Sequence, residues 1–105
     1  MKRLKRRYLG LQLDVEKAPG ERDFMDAVWA SVTRIYGEYG ASLTNLALIS
    51  YDSERKTGVI RSNLTAVENV RAALATITSI GGKAAAVHVL AVSGTIKALR
   101  QNLEF

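Results

Sequence analysis

Ser93, Gly94 and Thr95, followed by Lys97 and Arg100, form the group in this chain best suited to chemistry. Val87 to Val92 is a valine-rich run of strand type, and Ile96 to Arg100 resumes with helical spacing. Either Ser93 or Thr95 can cap that helix through its hydroxyl, with Gly94 allowing a sharp turn between them. A helix start has unpaired N–H groups and partial positive charge, which suits a phosphate. On spacing alone an ordinary strand-to-helix turn explains these residues equally well. The rest of the chain is what points toward phosphate.

Catalytic chemistry finds little support. The single histidine, His88, sits among valines and reads as a half-buried strand residue. The serines have no recognisable partnered base. Asp14, Asp23, Asp26 and Asp52 show no pairing suited to acid–base work. Gly81-Gly82-Lys83 lacks the spacing and the Ser/Thr of a phosphate-binding P-loop and reads as a helix stop. No catalytic residue and no metal ligand set is therefore expected. With no cysteine, disulfide frameworks and thiolate metal sites are excluded, which suits a cytosolic protein.

The net charge is +5, with fifteen basic and ten acidic residues. Lys2, Arg3, Lys5, Arg6 and Arg7 account for the whole excess, so the body from Tyr8 onward is balanced. The division expected is a basic arm over residues 1–7 and a single domain over 8–105. Such an arm suits a polyanion, and nucleic acid is favoured over membrane because no amphipathic helix comes after it to hold a bilayer surface.

Along the chain, residues 8–15 alternate as a half-buried strand, with Leu9, Leu11, Leu13 and Val15 on one face. A helix is predicted over 23–39, capped by Asp23, with Phe24, Val28, Val32, Ile35 and Tyr39 as its core stripe. Strands are predicted over 44–52 and 57–61, joined by a polar turn. Thr65-Ala66-Val67-Glu68 has the pattern of a capping box, starting a helix that runs to Gly81-Gly82. Its second half is β-branched and weak by propensity, but its apolar stripe continues. A fourth strand over 85–92 and the short terminal helix complete the order. This is an α+β fold, a ferredoxin-like βαββαβ sandwich of the kind RNA-recognition modules use: a four-stranded antiparallel sheet plus a short extra C-terminal helix.

Strands two and four are apolar on both faces, which asks for cover on both. The two long helices cover one. Ile96, Leu99 and Leu103 of the terminal segment can cover part of the other. A partner, self or heterologous, is expected over the rest, with Ile49, Tyr51, Leu90 and Val92 as its contacts. Sheet-face base stacking is disfavoured, because Gly58-Val59-Ile60-Arg61 carries no aromatic and the first strand offers only Tyr8.

With these residues assembled, the chain resembles the archaeal and eukaryotic ribonuclease P protein component 2 family. The resemblance rests on Arg7-Tyr8-Leu9, Tyr36-Gly37-Glu38, Tyr51-Asp52, Gly58-Val59-Ile60-Arg61, Val70-Arg71-Ala72-Ala73-Leu74 and, most specifically, Ser93-Gly94-Thr95-Ile96-Lys97. It implies a non-catalytic protein subunit of an RNA-based endoribonuclease that removes the 5′ leader from precursor tRNA. It implies ribonuclease P RNA, precursor tRNA and ribonuclease P protein component 3 as partners, a cytoplasmic setting, and no cofactor on this chain. Magnesium is expected at the active site of the RNA. The residues expected to meet RNA are Lys5, Arg6, Arg7, Arg61, Ser93, Gly94, Thr95, Lys97 and Arg100. Two alternatives stand beside this reading. One is a generic RNA-recognition domain. The other is a small-molecule or hydrolytic ferredoxin-like domain using, for example, Arg61 and Asn63.

Overall fold

The computed structural model describes residues 5–103; Lys2 and Arg3 of the expected arm lie outside the described residues. The elements are β1 (Arg6–Asp14), α1 (Glu21–Ser42), β2 (Ala47–Asp52), β3 (Thr57–Asn63), a 3-10 turn (Leu64–Ala66), α2 (Val67–Ala75), a small hairpin of β4 (Ser79–Ile80) and β5 (Lys83–Ala84), β6 (Ala86–Ser93) and α3 (Ile96–Leu103). β1, β2, β3 and β6 form one antiparallel sheet in the order β2-β3-β1-β6. That is the expected ferredoxin-like arrangement with its additional terminal helix. None of the described helices is long and apolar enough to cross a membrane.

The alternation in β1 places Leu9, Leu11 and Leu13 under α1 and α2, where they meet Phe24, Val28, Val32, Val70 and Leu74 in the main core. α1 begins at Gly20 without a side-chain cap, so Asp23 lies inside its first turn, where its charge favours the helix N-terminus. The expected core stripe holds only as far as Val32. Gly37 adopts φ 75° and ψ 171°, a kink inside the helix that disfavours any residue with a Cβ. The kink shifts the helical phase near the end of α1. Tyr39 is 78% exposed and Ile35 43%, while Ala41 turns inward. The helix passes Gly40 and ends at Ser42. Its last carbonyls are held by Ser42 Oγ to Tyr39 O, Thr44 Oγ1 to Ala41 O, and Asn63 Nδ2 to Leu43 O.

The capping box at Thr65 does not form: α2 is preceded by a 3-10 turn, and its N-cap is Ala66 with no side-chain bond. Nor does α2 reach Gly81. It stops at Ala75, where the β-branched residues begin, and Thr76 Oγ1 donates back to Ala73 O. Weak helix propensity wins here over the continuing stripe. Ile77 and Ile80 are still buried, but from the lead-in and first strand of the β4–β5 hairpin. Gly81 and Gly82, both at positive φ, make its two-residue turn.

One-residue bulges decide which side chains share a sheet face. In β2, Leu48 faces Ile60 and Ser50 faces Val59, leaving Ile49 as the extra residue. In β6, Val89 faces Leu11 and Ala91 faces Gly10, leaving Leu90 extra. Each bulge reverses the face of the residues beyond it. Tyr51 and Val92, expected on the open face, therefore pack against the helix-covered core. Tyr51 stacks on Phe24 at 5.2 Å between centroids and donates its hydroxyl to Pro19 O at 2.5 Å. Burial pushes its phenol above the ordinary 10.0, and the charge of Glu21 adds to that.

The second face is partly covered by α3, which lies over β6 and β1. Leu99 is fully buried there, as is Val59 of β3. Gly10, centred in this face, has no Cβ, and the space is filled by Leu103 Cδ1, with Leu99 Cδ1 3.5 Å from where the Cβ would stand.

Candidate nucleic-acid interface

Antiparallel pairing gathers the start of β1, the end of β3 and the end of β6 at one end of the sheet. Tyr8 is flanked by Arg61 of β3 and Ser93 of β6. Arg6 stands opposite Asn63, and Lys5 O accepts the amide of Leu64 at 2.8 Å. Arg6 and Arg7, expected in a free arm, are thus the first residues of β1. Arg7 Nη1 donates to Arg6 O at 2.9 Å, and the same nitrogen lies 3.5 Å from where a Cβ on Gly94 would be. The fold therefore brings the basic segment against the Ser-Gly-Thr turn, two features that the sequence could only treat separately.

Within that turn the cap is Thr95, whose Oγ1 accepts the amide of Ala98 at 3.1 Å. Ser93 Oγ stands 3.5 Å from the Thr95 amide, at the outer limit of a bond. Gly94 is not a positive-φ position. Its role is to lie flat against Arg7 rather than to enable a turn that other residues cannot make. Lys97 is exposed in the first turn of α3.

Arg61 belongs to the same end of the sheet and is half-buried. Its Nε is enclosed and has no acceptor. Among the described residues the one ion pair is that of Arg55 with Asp52, so Lys5, Arg6, Arg7, Arg61 and Lys97 have no carboxylate partner there. A half-buried guanidinium held without a counter-charge is an arrangement that an incoming anion completes. Asn63, the companion of Arg61 in the hydrolytic alternative, is buried and spends its amide on Leu43 O, so it anchors α1 to β3 instead.

Arg100 does not join this cluster. It faces a hollow on the second sheet face together with Arg55, a residue that sequence reasoning passed over because nothing in its spacing places the hairpin beside α3. His88 is exposed on β6, opposite Gln12, rather than half-buried among the valines. Of the four residues expected at a partner surface, Ile49 and Leu90 are left. They are the two bulge residues, half-buried and 46% exposed respectively.

The sequence profile of the Rpp14/Pop5 family matches residues 7–104. Ribonuclease P protein component 2 of Methanosarcina acetivorans is 36% identical over 95 residues, which span 90% of this chain and 70% of that protein. The Pyrococcus abyssi protein of the same name is 33% identical over 97 residues, covering 92% and 82%. A chain in the cryo-EM structure of yeast ribonuclease MRP superposes with a TM-score of 0.73 over 99% of this chain and 92% of that one. At 15% identity that likeness concerns the fold.

Proposed function

This chain belongs to the Rpp14/Pop5 family, among the homologues of ribonuclease P protein component 2, and we propose that as a subunit of that ribonucleoprotein it binds and steadies the RNA without cutting it. The observation that carries this reading is the end of the sheet, where Arg61, Arg7, Lys5 and the Thr95-capped start of α3 converge without carboxylate partners among the described residues. Unpaired cations around a helix N-terminus favour phosphates of any sequence, so the contact is one of position and charge rather than base reading.

The reaction served is removal of the 5′ leader from precursor tRNA, with the scissile chemistry and its magnesium on the RNA. This chain has little to offer that ion: among the described residues no group of three or more His, Asp and Glu side chains converges. Component 3 is the protein partner, and the bulge residues Ile49 and Leu90 on the incompletely covered sheet face are the contacts we assign to it or to a second copy of the chain.

The test is a salt titration of RNA binding by the full-length chain with component 3 present. Replacing Lys97 by Gln and Arg61 by Met should each flatten the dependence of log affinity on log salt by about 0.7 to 0.9 per phosphate lost. Arg61→Met should not cost stability, because it removes an enclosed donor whose unmet bond costs about 1–3 kcal/mol. Unchanged slopes in both variants would overturn the assignment of RNA to this end of the sheet. Cleavage of precursor tRNA by the RNA-free protein in magnesium would overturn the non-catalytic role.

A further inference from the structure

α3 covers only the β1–β6 half of the second sheet face. Beside it, over the β2–β3 hairpin, the chain leaves a hollow of about 240 Å³. Ser50, Asp52 and Arg55 line it from the hairpin, Thr57 and Val59 from β3, and Arg100 from α3. Asp52 is the one carboxylate in that lining, and it is committed to the turn. Its Oδ1 accepts the amides of Glu54 at 3.0 Å and Arg55 at 3.1 Å. Its Oδ2 stands 4.0 Å from Arg55 Nε, at the far limit of an ion pair. Arg100 has no carboxylate partner among the described residues. Two guanidinium groups from distant parts of the chain thus share one polar concavity with a positive balance.

We propose that this hollow is a second phosphate site, in which Arg55 and Arg100 together hold a backbone phosphodiester of the RNA. The inference rests on the reading of the sheet end as an RNA contact, and extends it. α3 connects the two places, with Thr95 and Lys97 at its start and Arg100 in its second turn, along a helix about 12 Å long at 1.5 Å per residue. One strand lying alongside α3 reaches both. Arginine suits the role, because its planar fork can give two parallel hydrogen bonds to one phosphate. Both side chains are exposed at the rim, so neither is required for the core.

The experiment compares the full-length protein with Arg55→Gln, Arg100→Gln and the double variant. The probe is the ribonuclease P RNA of the same ribonucleoprotein, component 3 is present, and salt is varied. Urea unfolding midpoints should be unchanged, since glutamine keeps both exposed positions polar. The double variant should bind about tenfold more weakly at low salt, the scale of a charge-assisted hydrogen bond lost. Its slope should fall by about 0.7 to 0.9, the value for one phosphate. Each single variant should show most of that fall, because both arginines hold the same phosphate. If slope and affinity are unchanged in the double variant while Lys97→Gln still lowers them, the second site is refuted and the sheet-end reading stands. If the double variant keeps its RNA slope but loses component 3, the hollow is a protein contact and the proposal fails. If the unaltered complex does not bind RNA, the reading beneath it fails as well.

Discussion

Replacing Gly10 tests whether α3 is held to the sheet by the missing side chain beneath it. A Cβ at this position would coincide with Leu103 Cδ1, while Leu99 Cδ1 is already at van der Waals distance. Leu103 is near the end of α3 and its methyl can rotate away, so Gly10→Ala should be close to neutral. Alanine even recovers about 0.5–1 kcal/mol over glycine within a strand. Gly10→Val is different, because a branched side chain also displaces Leu99, which is fully buried. Exposing a buried leucine costs about 1.5–3 kcal/mol, against which the better strand propensity returns up to about 1 kcal/mol. The net loss of about 1–2 kcal/mol corresponds to a fall of roughly 5–15 °C in Tm for a domain of this size. An isolated helix of eight residues is unstable in water, so loss of docking should also melt α3. The assay is a thermal melt combined with hydrogen exchange at the amides of Ala98 and Leu99, which bond to Thr95 Oγ1 and Thr95 O. Gly10→Val should lose protection there before the core unfolds. A valine variant that melts at the original temperature with both amides protected would refute the argument.

Two further substitutions probe the same geometry. Thr95→Ala should cost about 1 kcal/mol and speed exchange at Ala98, whereas Ser93→Ala should change neither, because only Thr95 caps α3 at bonding distance; equal effects of the two would contradict the assignment. Tyr51 should make the domain sensitive to alkali. Its folded pKa lies above the ordinary 10.0, first through burial and then through Glu21, so the unfolded chain ionises first. The stabilisation is complete below pH 10 and fades as pH rises through the folded pKa. Tyr51→Phe should remove that part of the pH dependence and, through the lost bond to Pro19 O, lower stability at neutral pH by about 1 kcal/mol. Stability measured by urea unfolding at neutral and alkaline pH distinguishes the two effects, and an unaltered alkaline slope in the variant would remove Tyr51 as its source.

The element order, the antiparallel sheet with helices on one face and the strand-turn-helix at Ser93–Thr95 were legible in the sequence, because each is a local property. Alternation in Leu9, Leu11 and Leu13 and the helical spacing of Phe24, Val28 and Val32 belong to neighbouring residues, and the Ser-Gly-Thr turn comes directly after its valine strand. The need to cover the sheet's second face was legible too, because strands apolar on both sides cannot leave one bare. The folded chain was needed wherever a single residue changed the phase. Gly37 sent Ile35 and Tyr39 outward, and the bulges at Ile49 and Leu90 turned Tyr51 and Val92 into the core. Such shifts leave the composition of a segment unaltered, so periodicity cannot detect them. The end of α2 was a conflict between two legible signals, β-branched propensity and an apolar stripe, which the β4–β5 hairpin satisfied together by burying Ile77 and Ile80 without a helix. The meeting of Arg7 with Gly94, and of Arg55 with Arg100, depended on chain segments far apart in sequence. Only the register of β1 between β3 and β6, and the seating of α3 over Gly10, could bring those charges together.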